Sequence, residues 1–236
     1  MKSEPVLPKR FYEAVSVEAM DDRFAISLDG RRAKTASGNI LSAPTKVLAD
    51  EVAEEWNAQK NHIDRKTMRL TGILSAAIDG GEDGRREWID EIVSYLGSDL
   101  VCYRADVPEA LKIAQSECWD PYIDFVRNEF GAMLVTTTGI VAIGQPDASF
   151  QSIRRALEAE TSERLFALQI ATAISGSAVL ALALWKSFVE PIKIFDASRV
   201  DEHFQEARWG IDDEAKAREE HLKKDFLTTS KFLSLL

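Results

Sequence analysis

Twenty-one consecutive residues, Leu165 to Trp185, carry no charge. Such a stretch must be hidden from water, in a bilayer or under protein, so it constrains the fold more than any other segment. Its length reaches the threshold of about 18 residues for a membrane span. Its interior argues otherwise. Gln169, Thr172, Ser175, Gly176 and Ser177 interrupt it, and Ser175-Gly176-Ser177 has the composition of a joint. The expectation is one or two helices buried in a helical bundle, with no stable membrane insertion. A membrane-associated helical protein is a rival reading. The chain has the means to cover such helices: 236 residues, 45% of them hydrophobic and 29% charged, an ordinary globular mixture. That length suits one large domain or two small ones.

The net charge is −10, from 29 basic and 39 acidic residues. With no Lys/Arg block, this excludes general binding to nucleic acid or to an anionic membrane surface. Cys102 and Cys118 are too few for a disulfide framework and too far apart for a metal-ligand pair. They read as buried small apolar residues in a reducing compartment. The stretch from Met1 to Phe11 has neither an apolar core nor a small-residue cleavage site, so no signal peptide is expected and the location reads as cytoplasmic.

Two periodicities divide the chain. Over residues 11–41, short alternating runs are separated by turn signals at Asp29-Gly30 and Ser37-Gly38-Asn39, which predicts a small antiparallel sheet of hairpins. Leu48, Val52 and Trp56, each four apart, then mark a helical stripe that Ala49 and Ala53 widen. Helices are expected over 70–79 and again around Trp88 to Leu96, with Gly80 to Gly84 as a loop between them. Pro108 can open a helix through Cys118. Asp120-Pro121 reads as an N-cap and first turn of another, which Gly131 would stop. Leu134 to Val141 is β-branched and extended, and the chain beyond Asp147 is helical. The fold class is therefore α+β: a small N-terminal α+β domain with antiparallel hairpins, residues 1–62, followed by a larger all-α helical domain, residues 63–236.

The search for chemistry finds no catalytic pattern. There is no phosphate-binding loop and no dinucleotide fingerprint. Ser175-Gly176-Ser177 is not a nucleophile elbow. His62, His203 and His221 form no metal signature, although His203 and Glu206 share one helix face. An enzyme with a site assembled from scattered residues such as Cys102, Asp99 and His62 is the alternative reading.

One surface stands out. Taking Val200 as ~0° on a helix, Phe204 falls at ~40°, Ala207 at ~−20° and Ile211 at ~20°, a stripe that predicts burial. Trp209 falls at ~180°, among Glu202, Gln205, Glu206 and, if the helix passes Gly210, Asp213. Two readings follow. Trp209 packs on a neighbouring helix, or is redirected at Gly210. Alternatively it is an exposed aromatic anchor ringed by acids, as protein interfaces favour. Trp56, by contrast, continues the stripe of Leu48 and Val52 and reads as a packing residue.

Several segments, in order along most of the chain, then carry a resemblance. They are Lys9-Arg10-Phe11-Tyr12, Leu28-Asp29-Gly30-Arg31 with Lys34-Thr35, and Glu55-Trp56 with Gln59. Met68 with Leu70-Thr71, Asp99 with Cys102-Tyr103-Arg104, and Trp119-Asp120-Pro121 follow. Ser198-Arg199 with Glu202, Gln205 and Trp209-Gly210 come last. Together they resemble the assembly chaperones of the F-type ATP synthase that bind its alpha subunit, the ATP-twelve family. The resemblance implies a non-enzymatic protein with no metal or nucleotide of its own. Its partner would be the free alpha subunit, kept soluble until it pairs with the beta subunit. It implies a location in the cytoplasm, as in bacterial members; a monomer is expected beside it, not from it. It places an acid of functional weight shortly after the Trp-Gly pair, where Asp213 stands between Asp212 and Glu214. It also matches Trp56 to a family tryptophan whose integrity matters. The expected partner-binding residues are Glu202, Gln205, Glu206, Trp209, Asp212 and Asp213.

Overall fold

The computed structural model describes residues 7–139 and 141–236. The stretch Met1 to Val6, on which part of the leader-sequence reading rests, and Ile140 of the expected extended run lie outside the described residues. The chain divides into two compact units, residues 1–84 with 231–236, and residues 85–230. The border drawn at residue 62 from the sequence falls inside the first unit. There His62 pairs with Lys9 in an isolated antiparallel bridge and the Ile63 N–H donates to Pro8 O at 2.9 Å.

The first unit is built on an antiparallel sheet. Strands β1 (Val15–Met20) and β2 (Arg23–Leu28) pair in register from Val15 with Leu28 to Met20 with Arg23. Strand β3 (Arg31–Arg32) pairs with the end of β2, and β4 (Ser42–Ala43) with its start. Two turns make this possible. Asp21 has φ 50°, and Asp29-Gly30 have φ 49° and 73°, the left-handed conformation that Asp and Gly adopt most readily. Asp29 also binds the chain before β1, accepting from Ala14 N at 2.8 Å and Glu13 N at 3.0 Å; these donors hold its carboxyl below the usual range. Helix α1 (Lys46–Asn57) starts at Thr45, whose hydroxyl accepts from Leu48 N. Leu48, Ala49, Val52 and Ala53 are buried as expected.

The two expected helices are joined in α2 (Arg69–Tyr95), which breaks within the expected Gly80 to Gly84 joint. Only Gly81 is non-helical, with φ 56° and ψ −150°, so the glycine cluster is a kink and not a loop. Its start is fixed by Glu55, whose carboxylate accepts from Leu70 N, Thr71 N and Thr71 Oγ1 at 2.7–2.8 Å. A carboxylate there satisfies donors that have no helical partner and meets the positive end of the helix dipole.

The second unit is helical apart from one small element. Strand β5 (Tyr103–Arg104) precedes α3 (Glu109–Phe130) and pairs in parallel with β6 (Thr137–Thr138). The two helices expected across residues 108–131 are one, with Pro121 inside it. Asp120 does not cap; it meets the buried Arg104 guanidinium at 2.8 Å. Trp119 is fully buried and donates through Nε1 to Ala197 O at 2.7 Å. Gly131 ends the helix at φ 68°, as its position predicts. Helix α4 (Asp147–Glu158) buries Ile153 and Leu157.

The uncharged stretch forms α5 (Ser162–Ser175) and α6 (Ala178–Trp185). Gly176 caps α5 at φ 69°, and the Ser177 hydroxyl accepts from Leu180 N to start α6. Ala178 to Leu184 are buried, and no helix among the described residues is long and apolar enough to cross a membrane. Helices α7 (Pro191–Ala197), α8 (Val200–Trp209) and α9 (Asp213–Ser234) complete the chain. Residues 231–236 rejoin the first unit, where Lys231 pairs with Glu51 at 2.6 Å and Thr45 Oγ1 donates to Leu235 O at 2.5 Å.

Candidate functional site

Helix α8 is anchored by polar groups. Asp201 accepts from Gln115 Nε2 at 2.6 Å, and Arg199, just before the helix, donates to Ile174 O at 2.8 Å and to Glu202 at 3.1 Å. Asp201 and Glu202 in the first turn and Arg208 in the last complement the helix dipole. The expected buried stripe is not present: no residue of α8 is buried. Val200 and Phe204 are half-buried, Ala207 is exposed, and Ile211 lies beyond the helix and is 48% exposed. Ile211 leaves the stripe because Gly210 ends α8 with φ 82° and ψ 168°. Phe204 is covered instead by Arg208, whose guanidinium lies 4.3 Å from the ring centroid.

Trp209 is 78% exposed at the last position of α8. It does not pack on a neighbouring helix. Glu202, Gln205, Asp212 and Asp213 are exposed as well, and Glu206 is half-buried. The break at Gly210 removes Asp213 from the α8 helical wheel and makes it the first residue of α9. Asp212 caps that helix, its Oδ1 accepting from Glu214 N at 3.2 Å. The Asp213 carboxylate has no partner among the described residues, so of the two aspartates it is the one unengaged by the fold.

The pairing of His203 and Glu206 gains a third member. Glu219 of α9 places Oε1 3.1 Å from His203 Nε2, and ligand atoms of all three lie within 4.8 Å of one another. This cluster ties α8 to α9 beneath the Trp209 turn. It is a set of donors a divalent cation could use, and it was half legible as the i, i+3 spacing of His203 and Glu206.

The residues of the enzyme alternative are not assembled as a catalytic site. Cys102 is fully buried, and burial pushes its thiol up to about 12, which keeps it protonated and unreactive. Asp99 is also fully buried and accepts from Ser177 Oγ at 2.5 Å, Val179 N at 3.1 Å and Val101 N at 3.2 Å. Its role is to cap two helical turns. His62 belongs to the other unit.

Trp56 departs from the fully buried stripe it follows. It is half-buried, edge-on to Tyr12 with centroids 5.6 Å apart, and its backbone oxygen accepts from the Tyr12 hydroxyl at 2.8 Å. Its ring Nε1–H is buried with no acceptor among the described residues. Sequence reasoning missed its neighbour Phe11, which is 71% exposed. Phe11 sits between two hollows of the first unit, of about 540 Å³ and 610 Å³, that both also touch Lys34 and Trp56. Its signal in the sequence was its place in Lys9-Arg10-Phe11-Tyr12, one of the segments that carry the resemblance.

Phe11 and Trp209 thus stand exposed on an α+β fold, while Cys102 and Asp99 are sealed inside it. The sequence profile of the ATP12 chaperone protein family matches residues 9–127. The structure is similar to the crystal structure of Atp12 from Paracoccus denitrificans, at TM-score 0.92, 33% identity, and 97% and 98% coverage of the two chains. It is also similar to a protein from Agrobacterium tumefaciens, at TM-score 0.91 and 33% identity, covering 97% of this chain and 86% of that one. Mitochondrial protein atp12 of Schizosaccharomyces pombe is 24% identical over 238 residues, 96% of this chain and 82% of that protein. The chain belongs to the ATP12 chaperone family, and it is an ATP synthase assembly chaperone, not an enzyme.

Proposed function

We propose that this protein binds the free alpha subunit of F-type ATP synthase and keeps it from aggregating until the beta subunit replaces it. The observation that carries the reading is Trp209, 78% exposed at the end of α8 in a member of the ATP12 family. A subunit that ends between two neighbours exposes apolar interface while alone, and such patches aggregate. A protein that covers the patch competes with aggregation by mass action. An aromatic anchor rimmed by Glu202, Gln205, Glu206, Asp212 and Asp213 suits a client face that is apolar at its centre and basic at its edge. Exposed acids add specificity and speed of encounter more than affinity, which fits a contact that must be released. Our reading places the protein in the cytoplasm and takes a monomer as its working form.

The test is a light-scattering assay of alpha subunit diluted from denaturant. The wild-type protein at equal concentration is expected to suppress aggregation. Trp209→Ala and Asp213→Lys are expected to lose most of that effect while keeping the wild-type circular dichroism and Tm. Full protection by the double variant would remove this surface from the contact.

A further inference from the structure

The first unit holds a second surface that the Trp209 site leaves unexplained. Phe11 is 71% exposed, yet its backbone is fixed. Arg10 donates through Nε to Tyr12 O at 2.9 Å, through Nη2 to Glu13 O at 3.0 Å and through Nη1 to Gln59 O, and its N–H donates to Asn61 O at 3.0 Å. The Phe11 ring stands edge-on to Tyr12 with centroids 5.3 Å apart. An apolar ring held in water on a rigid frame loses little freedom when covered, the condition that favours an anchor.

Phe11 is also a ridge. On one side the hollow of about 540 Å³ is walled by Leu41, Trp56, Ile63 and Met68. On the other lies the hollow of about 610 Å³, beside Leu28 and Arg31. Two hollows beside one ring, each with more than enough room for a side chain, suit an extended chain, whose alternate side chains point the same way.

Charge decides what that chain carries. The acids of the groove are occupied by the fold: Asp79 accepts from Thr35 Oγ1 at 2.5 Å, Asn39 Nδ2 at 2.9 Å and Ser37 N at 3.2 Å, and Asp29 binds Ala14 and Glu13 N–H groups. Lys34 and Arg65 at the rim have no acidic partner among the described residues, and Arg32 meets Glu18 only at 3.8 Å. The chain's negative charge does not offset them locally. Residues 85–230 hold 25 Asp and Glu against 16 Lys and Arg, which leaves the first unit close to neutral. We infer that the Phe11 groove docks an extended polypeptide segment with two apolar side chains flanked by acids. It is a client contact separate from the Trp209 surface and opposite to it in charge preference.

The probe is the capped peptide acetyl-Glu-Asp-Leu-Ser-Phe-Asp-Glu-amide, titrated into the 15N-labelled full chain. Binding is expected to shift the Trp56 indole N–H and the amides of Lys34, Ile63 and Met68. Lys34→Glu with Arg65→Glu, both at exposed positions, is expected to weaken it about tenfold, as the loss of two rim charges predicts. Phe11→Ala is expected to weaken it as well, with unchanged Tm. The same peptide with Lys in place of its acids is expected to leave the groove unshifted. No groove shifts at millimolar acidic peptide, or equal shifts from the Lys peptide, would overturn the inference. So would groove shifts that track protein concentration alone, which would assign the groove to a second copy of this chain. No ATP synthase subunit enters the titration, so its outcome and that of the aggregation assay are independent.

Discussion

Asp99 shows how much of a residue's meaning lies in its surroundings. From the sequence it is one of the scattered residues, with Cys102 and His62, from which an enzyme site could be assembled. In the structure it is fully buried, and burial raises its carboxyl to about 6 even though Ser177, Val179 and Val101 donate to it. A carboxyl raised on folding binds its proton more tightly in the native state. Its contribution is therefore fully present below the unfolded value near 4 and is lost as pH rises through about 6. Asp99→Asn is expected to remove that dependence, so the stability gap between wild type and variant in urea widens on going from pH 7 to pH 4. A gap independent of pH would contradict the assignment. Trp56 carries a second prediction. Its Nε1–H is buried without an acceptor, a state worth roughly 1–3 kcal/mol of destabilisation. Trp56→Phe removes the orphaned donor and is expected to change stability by less than ~1 kcal/mol, whereas Trp56→Ala is expected to cost about 3 kcal/mol. Equal losses in the two variants would refute this. Most residues that carry the family resemblance do similar work inside the fold. Arg10 ties backbone carbonyls, Asp29 and Glu55 receive backbone N–H groups, and Arg104 is buried against Gln115 O and Asp120. Phe11 and Trp209 are the large apolar side chains among them that stand exposed.

At the scale of elements, local chemistry was legible and tertiary choice was not. The α5–α6 joint could be read because Ser175-Gly176-Ser177 contains both the stop and the next start. Gly131 could be read for the same reason. The glycine cluster could be read as a break, but its length could not: Gly81 alone is non-helical, and the two helical stretches meet there without a loop. Nor could Pro121: its missing N–H disfavours a helix interior, but buried Trp119, Tyr122 and Ile123 around it hold α3 together. The α8 stripe lost Ile211 because Gly210 takes a conformation open mainly to glycine, which ends the helix before it. That glycine gives the next prediction. A Cβ there meets nothing within 4 Å, so Gly210→Ala tests conformation and not space. It is expected to cost about 1–3 kcal/mol locally, read as faster amide exchange at the end of α8 and the start of α9. It should also weaken client binding by re-aiming Trp209. Unchanged exchange would mean that the turn does not depend on glycine.

The whole molecule joins two surfaces of opposite character in one chain. The second unit carries most of the negative charge and presents Trp209 among acids, and the near-neutral first unit presents Phe11 beside Lys34 and Arg65. The α+β architecture was readable from periodicity, which for Trp209 left packing and exposure both open. The Phe11 groove was not readable, because its walls come from residues spread over 8–79 that only the fold assembles. The central claim is that this chain holds one free alpha subunit and yields it to the beta subunit. Its most direct test is co-expression with the cognate alpha subunit, followed by size-exclusion chromatography and native mass spectrometry. The account predicts a soluble one-to-one complex that dissolves when beta subunit is added. Alpha subunit that aggregates as it does alone, with this protein eluting unbound, would contradict it.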